Sequence, residues 1–420
     1  MHKTVLSNGV RVVTESIPYV RSVTAGFWLK VGSRNEEAHQ LGMSHMIEHM
    51  MFKGTSHHSA REIAETIDAT GGQLNAFTDK ERTCYYGRVP DEHWVLLIDI
   101  LADMLCNSVF DKQEIDKEKG VILEEIRMYE DSPDELAHEA LTENLLQPHP
   151  VARSVLGTPK SVQSFHREDL LAYVDEHYVP SNLVVSVVGN IQHHEVVELV
   201  ARHLSALTGA PPVRQGVPVP RGCGKSIRTK ATEQTHICLG VPGFSRKDKD
   251  EYVLHVLDTA LGGGMSSRLF QSLREEKGLV YSTYSYHSCY EDVGMVAVYA
   301  GTSPGNATHV IDLITEECQR VAAEGLLQEE LDRAKEQLKG SLLLSLENLA
   351  ARMNRLAKAE LYEERLLTPE ELVAKIDAVS PEDIVRVGRR LFAETPFSLA
   401  VVGPCNKAGS TEMDTRETVG

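Results

Sequence analysis

Val184-Val185-Ser186-Val187-Val188-Gly189-Asn190 closes the first half of the chain, and Ser398-Leu399-Ala400-Val401-Val402-Gly403-Pro404 closes the second in nearly the same way. Both are apolar runs ended by a glycine, the pattern of a buried strand. They stand 214 residues apart (403 − 189). Two further echoes keep almost that spacing. The strand-like residues 23–33 match 235–245 at an offset of 212 (235 − 23), and the helical Glu114-Ile115-Asp116-Lys117 matches Glu330-Leu331-Asp332-Arg333 at 216 (330 − 114). An offset that drifts by a few residues is what small loop insertions produce in a duplicated unit. Between the copies, residues 207–224 are rich in Pro and Gly and read as an extended linker. The expected organisation is therefore a domain at 1–208, a linker at 209–224 and a homologous domain at 225–420. Each copy mixes period-2 strands with long amphipathic helices such as 111–130 and 327–359, in irregular alternation. That favours an α+β fold, each domain a mostly antiparallel sheet packed with helices. The opening residues 1–13 read as two short strands around an Asn8-Gly9 type I′ turn, not as a signal peptide, and the polar residues 406–420 as a frayed end.

Composition narrows the function classes. A chain of 420 residues with 42% apolar and 25% charged residues holds two or three packed domains and is not disordered. With 43 Lys+Arg against 61 Asp+Glu the net charge is −18, which argues against nucleic acid and anionic membranes as partners. No apolar run approaches a membrane span; residues 93–106 are interrupted by Asp99 and Asp103. The 7 cysteines are scattered and form no Cys-x-x-Cys, so structural disulfides are not expected and the composition suits a cytoplasmic protein.

The chemistry concentrates in residues 42–54, Gly-Met-Ser-His-Met-Ile-Glu-His-Met-Met-Phe-Lys-Gly. His45 and His49 share one face of a helix, with Glu48 beside them, and the remaining positions are apolar, so the helix is expected to be buried nearly all round. Ionisable side chains in such a helix need a strong partner. Two imidazoles one turn apart can hold a zinc ion, and the adjacent carboxylate can take a proton from a water activated there. The order His-x-x-Glu-His inverts the commoner His-Glu-x-x-His. The same residues also fit two core histidines bonded to backbone, with Glu48 as a cap.

A third ligand is available on the helix at 111–130, whose apolar stripe runs Ile115, Ile122, Ile126 and Tyr129. At about 100° per residue, Glu118 and Glu125 fall within roughly 80° of that stripe, two turns apart, while Glu124 points away. Carboxylates on a core-facing stripe are costly unless paired or metal-bound, so Glu125 and Glu118 are preferred over Glu124 and Glu130. A buried salt bridge to Arg or Lys would satisfy the same geometry.

His45-Met46-Ile47-Glu48-His49, followed by Phe52-Lys53-Gly54-Thr55 and by a glutamate 76 residues after the second histidine (125 − 49), resembles the pitrilysin, insulinase and mitochondrial-processing-peptidase family of zinc metallopeptidases. The resemblance covers nearly the whole chain. It implies His45, His49 and Glu125 as ligands of one zinc per chain, Glu48 as general base and Glu118 as a supporting glutamate near the metal. Residues 71–78, with Asn75, Ala76 and Phe77 at the centre, resemble the edge strand that pairs with substrate backbone. In the second half, Arg274 and Tyr281 resemble the family's Arg-x6-Tyr pair, which contacts substrate and the carbonyl under attack. The implied fold is half of a clamshell; longer relatives join four such domains into two facing halves. The implied activity is therefore a zinc-dependent endopeptidase that cleaves peptides or unfolded, presequence-like segments inside a dimeric chamber, as a homodimer or with a diverged paralogue. A rival class is a non-proteolytic, chaperone-like or assembly subunit, which such families also contain; loss of ligands marks those members, and here none is lost.

The repeat offers an independent comparison. At the first offset His45, Glu48 and His49 project onto Leu257, Ala260 and Leu261; at the helix offset Glu118 and Glu125 project onto Ala334 and Ser341. The scaffold persists in the second copy and the metal-related residues do not, which makes the first copy catalytic. Other signals are set aside. His194-Glu195 lacks a second histidine, His57-His58 lies in a Ser-rich turn, and Cys84 suits strand packing better than nucleophilic chemistry. Gly262-Gly263-Gly264 has no following Gly-Lys-Ser/Thr, and it is shorter than the glycine-rich segment of the mitochondrial enzyme's non-catalytic partner. Acidic residues 130–139 read as a solvated helix end.

Overall fold

The two repeated valine-rich runs are interior strands of two separate sheets. The computed structural model describes residues 1–212, 217, 220, 222–362 and 365–404. In the first sheet, β1 (His2–Val5), β2 (Arg11–Ser16), β3 (Ser22–Leu29), β4 (Gln73–Thr78), β5 (Thr83–Pro90) and β6 (Leu183–Gly189) lie in the order β1-β2-β6-β3-β5-β4. In the second, β7 (Lys225–Thr229), β8 (Thr235–Pro242), β9 (Val280–Cys289), β10 (Gly294–Thr302) and β11 (Ser398–Gly403) lie in the order β7-β11-β8-β10-β9. Each is antiparallel except for one parallel pair, β2 with β6 and β7 with β11. Apart from β1, the second sheet repeats the first strand for strand, which bears out the α+β reading. No helix among the described residues is long and apolar enough to cross a membrane.

The helices are α1 (Met43–Met50), α2 (Ala60–Asp68), α3 (Trp94–Asn107), α4 (Lys112–Asp131), α5 (Pro133–Leu146), α6 (Pro159–Ser164), α7 (Arg167–His177) and α8 (His193–Leu204) in the first half. The second half carries α9 (Glu251–Gly262), α10 (Ala307–Glu324), α11 (Gln328–Ser345), α12 (Leu349–Tyr362), α13 (Pro369–Asp377) and α14 (Pro381–Phe392).

Both faces of each sheet are buried, which is why β6 is apolar at nearly every position instead of alternating. Val185 and Val187 join the main core of the first unit with α1, α3, α7 and α8. Val184 and Val188 face the other way, with Trp28 and Cys84, against Leu349, Met353 and Leu356 of α12. The hydroxyl of Ser186 donates to the Met353 carbonyl at 3.0 Å, which satisfies the one polar side chain of that strand. In the second unit, Val401 packs with α9, α10 and α14, while Ala400 and Val402 meet Ala137, Leu141 and Leu145 of α5.

The compact units therefore do not follow the chain contiguously. One comprises Met1–Ile126, Arg153–Gly216 and Leu344–Leu366; the other comprises Arg127–Ala152, Val217–Leu343 and Leu367–Gly420. The exchanged helices are repeat equivalents: α5 and α12 have 14 residues each and start 216 apart (349 − 133).

Local readings differ from the structure in three places. The helix expected over 327–359 is broken after Ser345, because the Asn348 side chain accepts from the Ala350 N–H at 2.8 Å and starts α12 afresh. The β1–β2 hairpin forms, but its turn is a three-residue loop, not type I′. Gly9 at φ +102° follows a turn closed by the Gly9 N–H on the Leu6 carbonyl, and the Leu6 N–H reaches the Val10 carbonyl. Tyr129 is exposed, since α4 carries its apolar stripe only as far as Ile126. The six described cysteines are free thiols. Part of the expected linker (213–216, 218–219 and 221) and the tail at 406–420 lie outside the described residues.

Candidate active site

Helix α1 is held at its start by two devices. Gly42 sits at φ +88°, where a Cβ would come within 2.6 Å of the Leu156 carbonyl oxygen, so only glycine fits. The buried Glu36 carboxylate accepts the Gly42 and Ser44 N–H groups, each at 2.8 Å, capping the positive end of the helix. Burial pushes Glu36 up to about 7, against the pull of those hydrogen bonds. Met43, Met46, Ile47 and Met50 are buried, as the apolar pattern requires.

On that anchored helix the two imidazoles stand 4.5 Å apart between ring centroids, at 69°. Glu125 comes to meet them from α4: its Oε2 lies 3.6 Å from His45 Nε2 and 3.8 Å from His49 Nε2. Ligand atoms of the three residues all fall within 4.8 Å of one another. Neutral imidazoles and one carboxylate are a donor set zinc takes in catalytic sites, with a fourth position left open. Tetrahedral bonds of about 2.0–2.1 Å set ligand atoms about 3.4 Å apart, so the two separations from Glu125 are within a few tenths of an ångström of that value. The residues fit the ion. Burial, with the neighbouring His49, lowers His45 to about 4, which keeps it neutral and ligand-ready at pH 7.

The surroundings treat the two histidines differently. His49 Nδ1 lies 3.0 Å from Glu118 Oε2, and Lys53 Nζ reaches the other Glu118 oxygen at 2.6 Å. Burial raises the Glu118 carboxyl, but the hydrogen bonds from His49 and Lys53 outweigh it and leave it below its ordinary value. An ionised Glu118 fixes the His49 tautomer with Nδ1 protonated and Nε2 turned to the site. His45 Nδ1, by contrast, is buried with no hydrogen-bond partner. Glu124 faces outward and is exposed. Glu48 is half-buried; desolvation raises its pKa, partly opposed by a hydrogen bond from the Thr78 side chain and the charge of His49.

Thr78 ends β4, which is paired on one side only, with β5. The Ala76 N–H bonds to the Asn75 side chain at 2.8 Å and not to β5, so it points to the free edge. By the two-residue period, Leu74 and Thr78 offer their backbone groups on the same side. The Phe77 ring packs edge-on against Trp28 at 5.5 Å between centroids, and by the same period its backbone groups face β5, so Phe77 fixes the strand and leaves the free edge to its neighbours.

Arg274 and Tyr281 come together on the second unit. The Arg274 guanidinium lies 4.9 Å over the Phe270 ring and 5.5 Å over that of Tyr281, which is 73% exposed. Arg274 belongs to a π-helical turn, Phe270–Glu276, a distortion frequent at functional sites. At the positions that repeat His45, Glu48 and His49, α9 buries Leu257, Ala260 and Leu261.

Glu36 carries no local sequence signal, and Thr78 and Lys53, although they fall in segments the sequence singles out, are not marked there as partners of Glu48 and Glu118. His57 and His58 bond to the buried Asp103, at 2.6 and 2.8 Å, and so secure the loop after α1. The Cys84 thiol is fully buried and its pKa is raised by that burial, which suits packing.

Known proteins resemble this chain over most of its length. Residues 11–159 match the insulinase (peptidase family M16) model, and residues 164–338 match the peptidase M16 inactive domain. An uncharacterized zinc protease of Bacillus subtilis, YmxG, is 44% identical over 94% of this chain and 97% of its own length. A zinc protease of Streptomyces coelicolor, likewise uncharacterized, is 42% identical over 96% of this chain and 90% of its own. Among solved structures, a peptidase M16 inactive domain from Pseudomonas fluorescens has a TM-score of 0.90 at 20% identity, covering 96% of this chain and 98% of its own. A Helicobacter pylori protease has a TM-score of 0.88 at 24% identity, covering 96% and 98%. At those identities the two structures speak for the fold alone.

Proposed function

The chain belongs to the M16 (insulinase) family of peptidases and is a zinc metalloprotease, and from that premise we propose that it is an endopeptidase for extended peptides and unfolded, presequence-like segments. The observation that carries this is the convergence of His45, His49 and Glu125 next to Glu48, with the free edge of β4 beside the same helix. His45, His49 and Glu125 hold one zinc per chain. When bound, the ion supplies a Lewis acid that makes water acidic and polarises a carbonyl.

The chain's own groups do the rest. Glu48 accepts a proton from the attacking water and returns it to the leaving amine; its raised pKa brings it nearer the working pH of a general base. The Thr78 hydroxyl holds the Glu48 carboxylate in place. The edge of β4 binds substrate as an added strand through Ala76 and its neighbours. Backbone pairing of this kind reads an extended conformation more than side-chain identity, which suits a broad range of unfolded peptides. We further propose that two copies act together, Arg274 and Tyr281 of one serving the α1 site of the other.

The test is cleavage of a mixed peptide library by the purified chain, with and without chelator. Cleavage of unfolded peptides that stops with chelator and returns with zinc is expected, and a tightly folded protein of similar sequence content should survive. Zinc-loaded protein that leaves every peptide intact would make the chain a non-proteolytic subunit instead.

A further inference from the structure

One residue belongs both to the edge offered to substrate and to the surroundings of the general base. Thr78 ends β4, and its side chain lies on the strand face that carries Leu74 and Ala76 into the core where α1 packs. From there its hydroxyl donates to the Glu48 carboxylate. Its backbone lies on the other side of the account. The Asp79 N–H goes to the Arg82 carbonyl at 2.8 Å, so Phe77 and Asp79 turn their peptide groups inward to the β5 side. Those of Thr78, between them, face the free edge as those of Ala76 do, where an added strand pairs.

The hydroxyl has little choice of partner. Thr83 Oγ1 lies 3.3 Å from Thr78 Oγ1, but the Thr83 hydroxyl spends its only proton on the Val31 carbonyl at 3.0 Å. Thr83 is thus a competing acceptor, and a carboxylate outcompetes a hydroxyl held at that distance. The aim of the Thr78 hydroxyl follows its backbone, because a β-branched side chain is stiff at χ1 and its rotamer depends on φ and ψ. On the far side of Thr78 the chain is already braced. Asp79 Oδ1 accepts the Glu81 and Arg82 N–H groups at 2.8 and 2.9 Å, and the Asp79 carbonyl accepts from the Ser33 N–H at 3.2 Å. The outward peptide groups of Thr78 itself are what a substrate strand would hold.

We propose that Thr78 is a positioning residue that couples substrate pairing to the general base: a peptide strand laid on β4 fixes the Thr78 backbone, and the Thr78 hydroxyl then holds Glu48 in the orientation that takes the proton. The inference rests on the reading of the chain as a peptidase with Glu48 as its base, and adds to it a source of specificity. Pairing opposite Thr78 governs turnover, whereas pairing opposite Leu74, about 13 Å along the strand, governs affinity alone. A substrate whose backbone cannot pair next to the bond to be cut is bound but cut slowly.

The experiment compares the full-length, zinc-loaded parent with Thr78→Ser and Thr78→Val, on one cleavable nonapeptide carrying a single N-methyl group at successive positions. Thr78→Val keeps the branch without the hydroxyl, and Thr78→Ser keeps the hydroxyl without the branch. Metal content and urea midpoints are read first; both variants should retain their zinc, and valine suits a strand as well as threonine does. A purely structural Thr78 would therefore leave Thr78→Val as active as the parent. Positioning predicts that kcat falls from parent to Thr78→Ser to Thr78→Val, the last by about tenfold or more, the loss of one hydrogen bond to a charged group, with KM little changed. N-methylation should weaken peptide binding to Glu48→Gln chains at every second position, where substrate N–H groups meet the β4 edge. Of those positions only the one nearest the cut should also lower kcat in the parent, and in Thr78→Val that extra loss should vanish. Parental kcat in Thr78→Val, or an N-methyl effect on kcat that persists undiminished in that variant, would overturn the coupling and leave the peptidase reading standing. A parent that cuts no peptide would overturn the peptidase reading, and this inference with it.

Discussion

Replacing Glu118 by glutamine separates a zinc ligand from the group that aims one. Glu118 is 5% exposed and contacts His49 Nδ1 at 3.0 Å, while the nearest approach to the zinc-facing nitrogens comes from Glu125 at 3.6 and 3.8 Å. The glutamine keeps the shape and can still accept from Nδ1–H through its oxygen, but it loses the negative charge and the ion pair with Lys53. It also gains an N–H face that favours the opposite His49 tautomer, with the proton on the metal-facing nitrogen. Outer partners of metal-bound histidines carry about 10–100-fold in affinity, or about 1.4–2.7 kcal/mol. Zinc binding, measured by competition with a chelating dye, should weaken by that factor, and turnover should return when zinc is added in excess. Glu125→Gln should weaken zinc far more, and Glu124→Gln, on the outer face of the same helix, should do nothing measurable. A Glu118→Gln protein that binds zinc as the parent does would remove the aiming role. One as defective as His49→Ala, and not rescued by excess zinc, would make Glu118 a ligand.

Glu48→Gln should keep its zinc but lose turnover by about 100-fold or more, since the amide cannot accept the proton; metal content and peptide cleavage measured on one sample check both halves. Glu48→Gln chains mixed with Tyr281→Phe chains, each inactive alone, should recover about a quarter of wild-type activity, because half the dimers then hold one intact site of two. Proven heterodimers without activity would return Tyr281 to its own chain. Glu36 should give the fold a pH dependence. Its folded value near 7 lies above its ordinary 4.5, so the associated stability is full below about pH 4.5 and is lost as the pH rises to about 7, by about 3 kcal/mol. Urea midpoints across that range should fall with rising pH in the parent and flatten in Glu36→Gln; parallel slopes would contradict the assignment.

The parts legible in the sequence were those whose information is local or repeated. The strands could be read twice, and β6 and β11 fall where their valine runs stand. His45 and His49 meet because four residues make one helical turn, and the angle along α4 that separates Glu118 and Glu125 from Glu124 is a property of that helix alone. Their partners were harder to read: Glu36 stands outside the motif and its contact with α1 is made through space, while Lys53 and Thr78 lie in segments the sequence singles out but show no sign there of the carboxylates they meet. Tyr129 was misplaced for a related reason. It continues the stripe of Ile115, Ile122 and Ile126, but from Arg127 onward α4 belongs to the other compact unit, so the stripe loses the core it was facing.

The exchange of α5 and α12 shows where pattern reading stops. Both helices present apolar residues at helical spacing, and both follow the same long helix of the repeat. An apolar face records that it must be covered but not which sheet covers it. Only side-chain fit decides. Met353 lies over Gly26, where even a Cβ would come within 2.7 Å of its sulfur, and the Met353 carbonyl takes the Ser186 hydroxyl. These contacts tie a helix near residue 350 to β3, which begins at residue 22, and to β6, which begins at residue 183. A chain ending at 208 would therefore leave Trp28, Cys84, Val184 and Val188 without cover, on a sheet whose other face carries the α1 site. The second copy has lost the metal-related residues but cannot be dispensed with, because it supplies the helix that closes the core beneath the active one.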